Sequence, residues 1–425
     1  MPPAGTERHS GYDVVMPEPD PTPFKIRSLA LTVYAPTLLM GIGQSAVLTF
    51  VLLLALDLGA SPWLAGMVFA MRGFGIVAFD VPAGFVLALL GPRRTMLLSI
   101  VLIGLLAALA AISQNPLQLG VIIFLFGAAT SMWMLTRIAF VLDVAPVDQR
   151  GRALSLVGGS QRIGNFVGPI AGGFVAQAIG FSGAMLLQSL GAGAALLLVL
   201  LFVRQREGMT AATAHSPRGL GRMLSDHRHA FLTAGLAILA LQILRQGRQV
   251  LLPLWSDQLG LEPAQIGLVI GLASAIDMSL FYPVGVVMDR FGRKWAAVPS
   301  LVLLAGSIAL IPLTGSFESL MVVGLFSGFA NGLGAGIGMT IGADLAPPRN
   351  QAEFLGVWRF VTDIGILAGP VLVAGVAGVA TLGIACVATG GVGIAGAAVM
   401  AVLAPETLRL GRDTVAKRSS ESGGT

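Results

Sequence analysis

Along this chain, apolar runs long enough to cross a bilayer alternate with short polar or charged breaks. A helix needs roughly 20 apolar residues to cross the ~30 Å hydrocarbon layer, and an open sheet edge cannot survive there, so each run predicts a membrane helix. Twelve spans are predicted, at 28–56, 62–90, 94–113, 117–142, 152–178, 181–203, 229–256, 262–289, 294–314, 318–345, 352–379 and 381–403. The first 26 residues are polar and rich in proline and lack the apolar core and small-residue cleavage site of a secretory signal, so a disordered tail is expected at 1–26. A basic stretch at 204–228, with Arg204, Arg206, Arg218 and Arg222, reads as a loop or short surface helix. It divides the chain into halves of six spans, 27–203 and 229–404, with a second tail at 405–425.

The chain is written twice, at a shift of 201 residues and without a gap. Gly59, Pro62 and Gly66 recur as Gly260, Pro263 and Gly267; Asp143, Ala145 and Pro146 as Asp344, Ala346 and Pro347; Gly164, Gly168 and Pro169 as Gly365, Gly369 and Pro370. The sharpest pair is a charged turn between apolar runs, Gly285, Asp289, Gly292, Arg293 and Lys294, matched at the shift by Gly84, Ala88, Gly91, Pro92 and Arg93, with Arg94 following. Pro82 and Pro283 precede the two copies.

This turn resembles the loop signature of the major facilitator superfamily, Gly-x-x-x-Asp-x-x-Gly-Arg-Lys/Arg. The resemblance covers about residues 28–410, including a closing Pro405-Glu406-Thr407. It implies an all-α membrane fold of twelve helices in two pseudo-symmetric six-helix bundles, with the substrate site between the halves near the midplane. It also implies that Asp289 caps a neighbouring helix end and that Arg94 and Lys294 reach Asp143 and Asp344, with Ala88 weakening this lock in the first half. A second motif, Gly164, Gly168, Pro169, Gly172 and Gly173, is similar to the glycine-proline pattern of exporters in that superfamily, although Ser155 stands where a further glycine belongs. It has two readings: a mark of export, or a place where small residues let helices pack closely.

Composition fits a membrane protein: 55% of residues are apolar, 11% are charged and mean hydropathy is +0.84. Six arginines fall inside spans: Arg72, Arg137, Arg162, Arg245, Arg248 and Arg359. The other Lys and Arg lie in the tails, in the even-numbered connections or at their edges, which places both tails and the 204–228 linker on the cytoplasmic side.

Charges inside spans cost at least ~2.5–3.5 kcal/mol, so they mark partners or a wet cavity. The acids there are Asp80, Asp277 and Asp363. In the fold that the chain resembles, spans two and eleven pack together across the halves, as do spans five and eight. Counting about 1.5 Å per residue, Arg162 and Asp277 fall at about 12–15 Å from the cytoplasmic ends, and Arg72 and Asp363 at about 16–18 Å. These depths predict two gating pairs, with Asp80 and Arg359 as a shallower third. Gln242, Arg245 and Gln249 share a face of span seven with Arg248 beside it, and Gln44 is the repeat counterpart of Arg245. With Asn331, Met132 and Met134 they are expected to line the cavity.

The expected function is proton-coupled export of small neutral or anionic molecules by alternating access in a bacterial inner membrane, an antiporter whose proton is carried by an aspartate. The alternative is uptake or exchange of an organic or phosphorylated anion. The expected partners are substrate, proton and lipid bilayer, with no nucleic acid, no cofactor and no metal, and with a functional monomer. A membrane-embedded enzyme would need a nucleophile and base or metal ligands within the spans; the four histidines lie in polar segments and Cys386 is the single cysteine.

Overall fold

The computed structural model describes residues 29–203, 220–347 and 350–408; the 1–26 tail, most of the 204–228 linker and 409–425 lie outside the described residues. Every regular element among them is helical. In the first half the spans are α1 (Ala30–Asp57), α2 and α3 (the two parts of Pro62–Ala111), α4 (Pro116–Val144), α5 (Arg150–Ile179) and α6 (Ser182–Phe202). In the second they are α7 (Arg228–Gln258), α8 (Pro263–Ser279 with Phe281–Phe291), α9 (Lys294–Leu313), α10 (Phe317–Leu345), α11 (Gln351–Val379) and α12 (Leu382–Val402). A short helix, Leu220–Asp226, precedes α7.

By length and apolarity alone, nine described helices could cross a membrane, or ten if the two parts of α8, bent by 41°, form one span. Two features bring the number to twelve. Pro62–Ala111 has 50 residues, far more than one crossing needs, and Gly91 breaks it with φ 76° and ψ 164°. The 30-residue α5 is long enough but carries Arg150, Arg152 and Arg162, which lower its apolarity.

Local sequence explains where the spans begin. At the odd-numbered connections the Ser61 hydroxyl accepts from the Leu64 N–H, the Asn115 side chain from Gln118, Ser316 from Ser319 and Thr381 from Ile384. Pro62, Pro116 and Pro263 supply a first-turn residue that has no N–H to satisfy. At the turn into α9, Gly292 adopts φ 115°, as Gly91 does at its counterpart with φ 76°, a region that L side chains disfavour.

The repeat is visible in three dimensions as contacts that recur at the same shift. A Cβ on Gly164 would meet the Cα of Gly41 on α1 at 2.8 Å, and one on Gly365 would meet Gln242, the counterpart of Gly41, at 2.5 Å. A Cβ added to Gly168 would meet Ser45, and one added to Gly369 would meet Gln246, each at 2.8 Å. Gly127 faces the Arg72 carbonyl, and Gly328 the carbonyl of Ala273. Between the halves, a Cβ on Gly66 would meet Ala374 (2.9 Å) on α11, and one on Gly267 would meet Gly173 (3.1 Å) on α5. The interface is therefore α2 on α11 and α5 on α8. Gly164, Gly168 and Gly172 seat α5 on α1, and Gly173 seats it on α8, so the glycine-proline motif packs two neighbours at once.

The halves meet at their odd-numbered ends, where Gln177 donates to Glu262 at 2.9 Å and Gly378 lies on the Trp63 ring. At the other end Gly84, Gly285 and Gly356 have no neighbouring atom within 4 Å of an added Cβ. Among the described residues the halves are in contact at the odd end, whereas these glycines border open space at the even end.

The charged turn holds the even end of the second half, with partners other than those expected. Arg293, not Lys294, pairs with Asp344 (2.9 Å), and it also binds Asp289 (2.9 Å) and the Met288 carbonyl (2.7 Å). Asp289 thus pairs one turn along within its own loop rather than capping a neighbouring helix. Lys294 Nζ donates instead to the Ala401 carbonyl at 2.9 Å. Glu406 caps the start of α9, accepting from the N–H groups of Arg293 (2.8 Å) and Lys294 (3.1 Å), while Thr407 donates to Asp344 at 2.9 Å. At the 201-residue shift the counterparts of Asp289 and Arg293 are Ala88 and Pro92, so the first half has lost both members of the pair together. Arg94 and Asp143 are exposed there and form no ion pair among the described residues.

Burial pushes the Glu406 carboxyl up, but the N–H groups of Arg293, Leu408 and Lys294 outweigh this and hold it below its ordinary value of 4.5. A depressed carboxylate stabilises the fold above its unfolded pKa, and that contribution fades as pH falls through the folded one. The Arg293 guanidinium holds Asp344, Asp289 and the Met288 carbonyl together, so Arg293→Gln, which keeps the backbone N–H on Glu406, should lower thermal stability in detergent by about 1.5–3 kcal/mol. Arg94→Gln should leave it within about 0.5 kcal/mol. Equal melting temperatures for the two variants would contradict the network.

Candidate functional site

The two halves enclose a central cavity of ≈ 300 Å³. The first half supplies Gln44 and Ser45 from α1, Arg72 from α2, Met134 and Arg137 from α4, and Gln161 and Asn165 from α5. The second supplies Arg245, Gln246, Arg248 and Gln249 from α7, Asp277 from α8 and Asn331 from α10. Helical spacing explains the polar face of α7, because residues three and four apart stack on one side.

Of the residues expected to line the cavity, Gln44, Arg245, Arg248, Gln249, Asn331 and Met134 do so. Gln242 stands behind the lining, accepting from Arg245 at 3.1 Å, and Met132 is buried away from it. Arg245 is largely occupied: its Nε donates to Asn331 (2.9 Å) and its Nη2 to the Gly334 carbonyl (2.7 Å). That carbonyl is exposed by the break in α10, where Gly336 takes φ 77°. The same bond exists in the first half in weaker form, from Gln44 to Thr130 at 3.4 Å, and Thr130 is the repeat counterpart of Asn331. Arg248 is buried and donates to Ser327 at 3.2 Å.

Arg162 and Asp277 are brought together across the halves at 3.7 Å, and the Arg162 guanidinium stacks 4.3 Å above the Phe281 ring. This is the one expected pair between the halves that forms. The other two expected pairs do not form. Asp363 takes Arg359 of its own helix (3.3 Å), one turn away, and Asp80 accepts from Ser131 at 2.5 Å. A partner at i−4 on the same helix needs no movement of the halves, whereas Arg72 is directed into the cavity.

Sequence reasoning missed Arg137, Gln161, Asn165 and Gln246 as lining residues. Arg137 Nη1 donates to Gln161 (2.9 Å), whose amide donates to Asn165 (3.2 Å), a polar chain from α4 to α5. The available signal was Arg137 itself, a charge inside a span level with no acid. Among the described residues Asp277 is the only acid in the lining.

Two six-helix bundles around a central polar cavity define a transporter that moves substrate by rocking its halves. The chain belongs to the Major Facilitator Superfamily, whose family model matches residues 35–275 and 230–422. It is similar to the multidrug resistance protein MdtH of Enterobacter sp. (strain 638), 23% identical over 312 residues, 73% of this chain and 76% of that protein. MdtH of Salmonella newport (strain SL254) is 21% identical over 315 residues, with the same coverage of 73% and 76%. Among solved structures, the peptide transporter POT in complex with sulfate aligns with TM-score 0.74 at 14% identity, covering 91% of this chain and 95% of that one. A POT family transporter in complex with 5-aminolevulinic acid aligns with TM-score 0.71 at 14% identity, covering 88% and 96%. At such identity these structures establish the fold. The chain is a multi-pass membrane transporter, not an enzyme.

Proposed function

We propose that the chain is a proton-coupled exporter of small organic molecules, neutral or anionic, acting as a monomer by alternating access in a bacterial cytoplasmic membrane. The observation that carries the substrate charge is the lining, in which Arg72, Arg137, Arg245 and Arg248 face one acid, Asp277. Cations in a low-dielectric cavity repel a cationic substrate and attract a carboxylate or phosphate. Export is supported by the resemblance to multidrug resistance proteins. The concentration of Lys and Arg at the even-numbered connections supports a cytoplasmic location for the even end, which suits loading from within. Organic-anion uptake or exchange is the second reading, and the same surplus of arginines favours it.

For the proton, Asp80 and Asp363 are the carriers that fit best. They lie on α2 and α11, helices that cross between the halves, and neither lines the cavity, so a proton there need not compete with substrate. Inverted vesicles supplied with a panel of anionic, neutral and permanently cationic dyes test the reading. Accumulation of anionic or neutral dyes should collapse when the proton gradient is dissipated, and Asp363→Asn should reduce gradient-driven transport by about tenfold or more while retaining downhill flux. Gradient-driven transport at wild-type rate in both Asp80→Asn and Asp363→Asn would exclude these carriers.

A further inference from the structure

The lining holds more cationic hydrogen-bonding capacity than a neutral molecule or a monoanion can use. Arg137 is 8% exposed and Arg248 9%. The Nε–H groups of Arg72 and Arg137 are buried without an acceptor. Arg137 is held in place by Gln161 at one nitrogen and by the Trp133 ring, 6.0 Å from its guanidinium carbon, so its orientation is set before any ligand arrives. A guanidinium presents five donors in a rigid fork; Arg248 spends one on Ser327, whereas Arg245 spends three on Asn331, Gln242 and Gly334. Most of the unspent capacity therefore stands in two places, on Arg72 and Arg137 of the first half and on Arg248 of the second, with two donors left on Arg245. The one acid in the lining, Asp277, is already engaged by Arg162.

We infer that this cavity takes an organic dianion, a molecule with two separated acidic groups, one held by Arg72 or Arg137 and the other by Arg248. The inference rests on the cavity being the transport site and adds the substrate class. A monoanion leaves one wall uncompensated, and cations buried away from water are costly unless paired. Because the walls belong to different halves, like charges approach when the halves close, and a bridging dianion offsets that repulsion. Oxyanions suit these residues because the Nε–H and one Nη–H of a guanidinium bind two oxygens side by side.

The test uses the purified full chain in lipid nanodiscs and α,ω-dicarboxylates from succinate to suberate as probes, each beside its monomethyl ester and the monocarboxylate of equal length. Binding is read by calorimetry. At least one dicarboxylate should bind about tenfold or more tightly than both of its monoanionic matches. That advantage should disappear in Arg137→Gln and in Arg248→Gln and survive in part in Arg137→Lys, each variant being used only if it elutes as a monodisperse species. Equal binding of diacid and monoester, or no binding of any dicarboxylate, overturns the dianion. The dye panel in vesicles separates this result from failure of the transport reading: dyes exported by a chain that binds no diacid leave the exporter standing, and absence of all transport removes it.

Discussion

Asp277→Asn should abolish transport and destabilise the protein, while Asp277→Glu should retain part of both. Asp277 is the only acid lining the cavity among the described residues; it contacts Arg162 at 3.7 Å, and its charge also acts on Arg245 and Arg248. Its removal would leave these guanidinium groups facing one another. Breaking a buried pair from one side costs about 3–5 kcal/mol; with side chains 26% and 21% exposed, solvent screening puts this one near about 3 kcal/mol. The double variant Arg162→Gln with Asp277→Asn should recover more than half of the lost stability, because no uncompensated charge remains at that contact. The measurements are the melting temperature in detergent and dye export in vesicles. A single variant with wild-type values for both would show that Asp277 is not the counter-charge of the cavity.

Much of this architecture is legible in the sequence because it follows from spacing. Apolar run length gives the spans within two residues at nearly every end, and the 201-residue shift read from the sequence recurs in the packing, with Gly164 on Gly41 and Gly365 on Gln242. The polar face of α7 is legible for the same reason. Side-chain direction is not. Equal depth made Arg72 and Asp363 look like partners, but depth along two helices says nothing about which way each residue turns, and Arg359 lies one turn from Asp363 on the same helix. The charged turn shows the same limit: Arg293 and Lys294 are adjacent, and their spacing does not say which of them reaches Asp344. Arg245 was legible as a cavity residue, whereas its engagement with Gly334 depends on a break in α10 that the apolar pattern does not mark.

The contact of the halves at the odd end leads to the last prediction, that Gly267→Leu shifts the resting population towards the state open at that end and stops the transport cycle. Gly267 lies where α5 and α8 touch: a Cβ there would clash with the Pro169 carbonyl oxygen and sit 3.1 Å from the Gly173 Cα. Both neighbours are backbone, which cannot move aside as a flexible side chain can, so α5 and α8 must separate. Overpacking of this kind costs about 1–3 kcal/mol. In a transporter the cost falls only on the state in which the two helices touch, and about 1.4 kcal/mol is already a factor of ten in an equilibrium. The repeat adds a control. Gly66 occupies the equivalent place against Ala374, so Gly66→Leu should produce the same shift through α2 and α11. Gln177 and Glu262, whose side-chain ends meet at 2.9 Å at this end, provide the readout as introduced cysteines joined by a short bis-methanethiosulfonate cross-linker in a Cys386→Ala background. Cross-linking should be efficient when Gly267 is retained and fall several-fold in the Gly267→Leu variant, together with loss of transport in folded, monodisperse protein. Unchanged cross-linking accompanied by normal transport would mean that the halves do not close against each other through this contact.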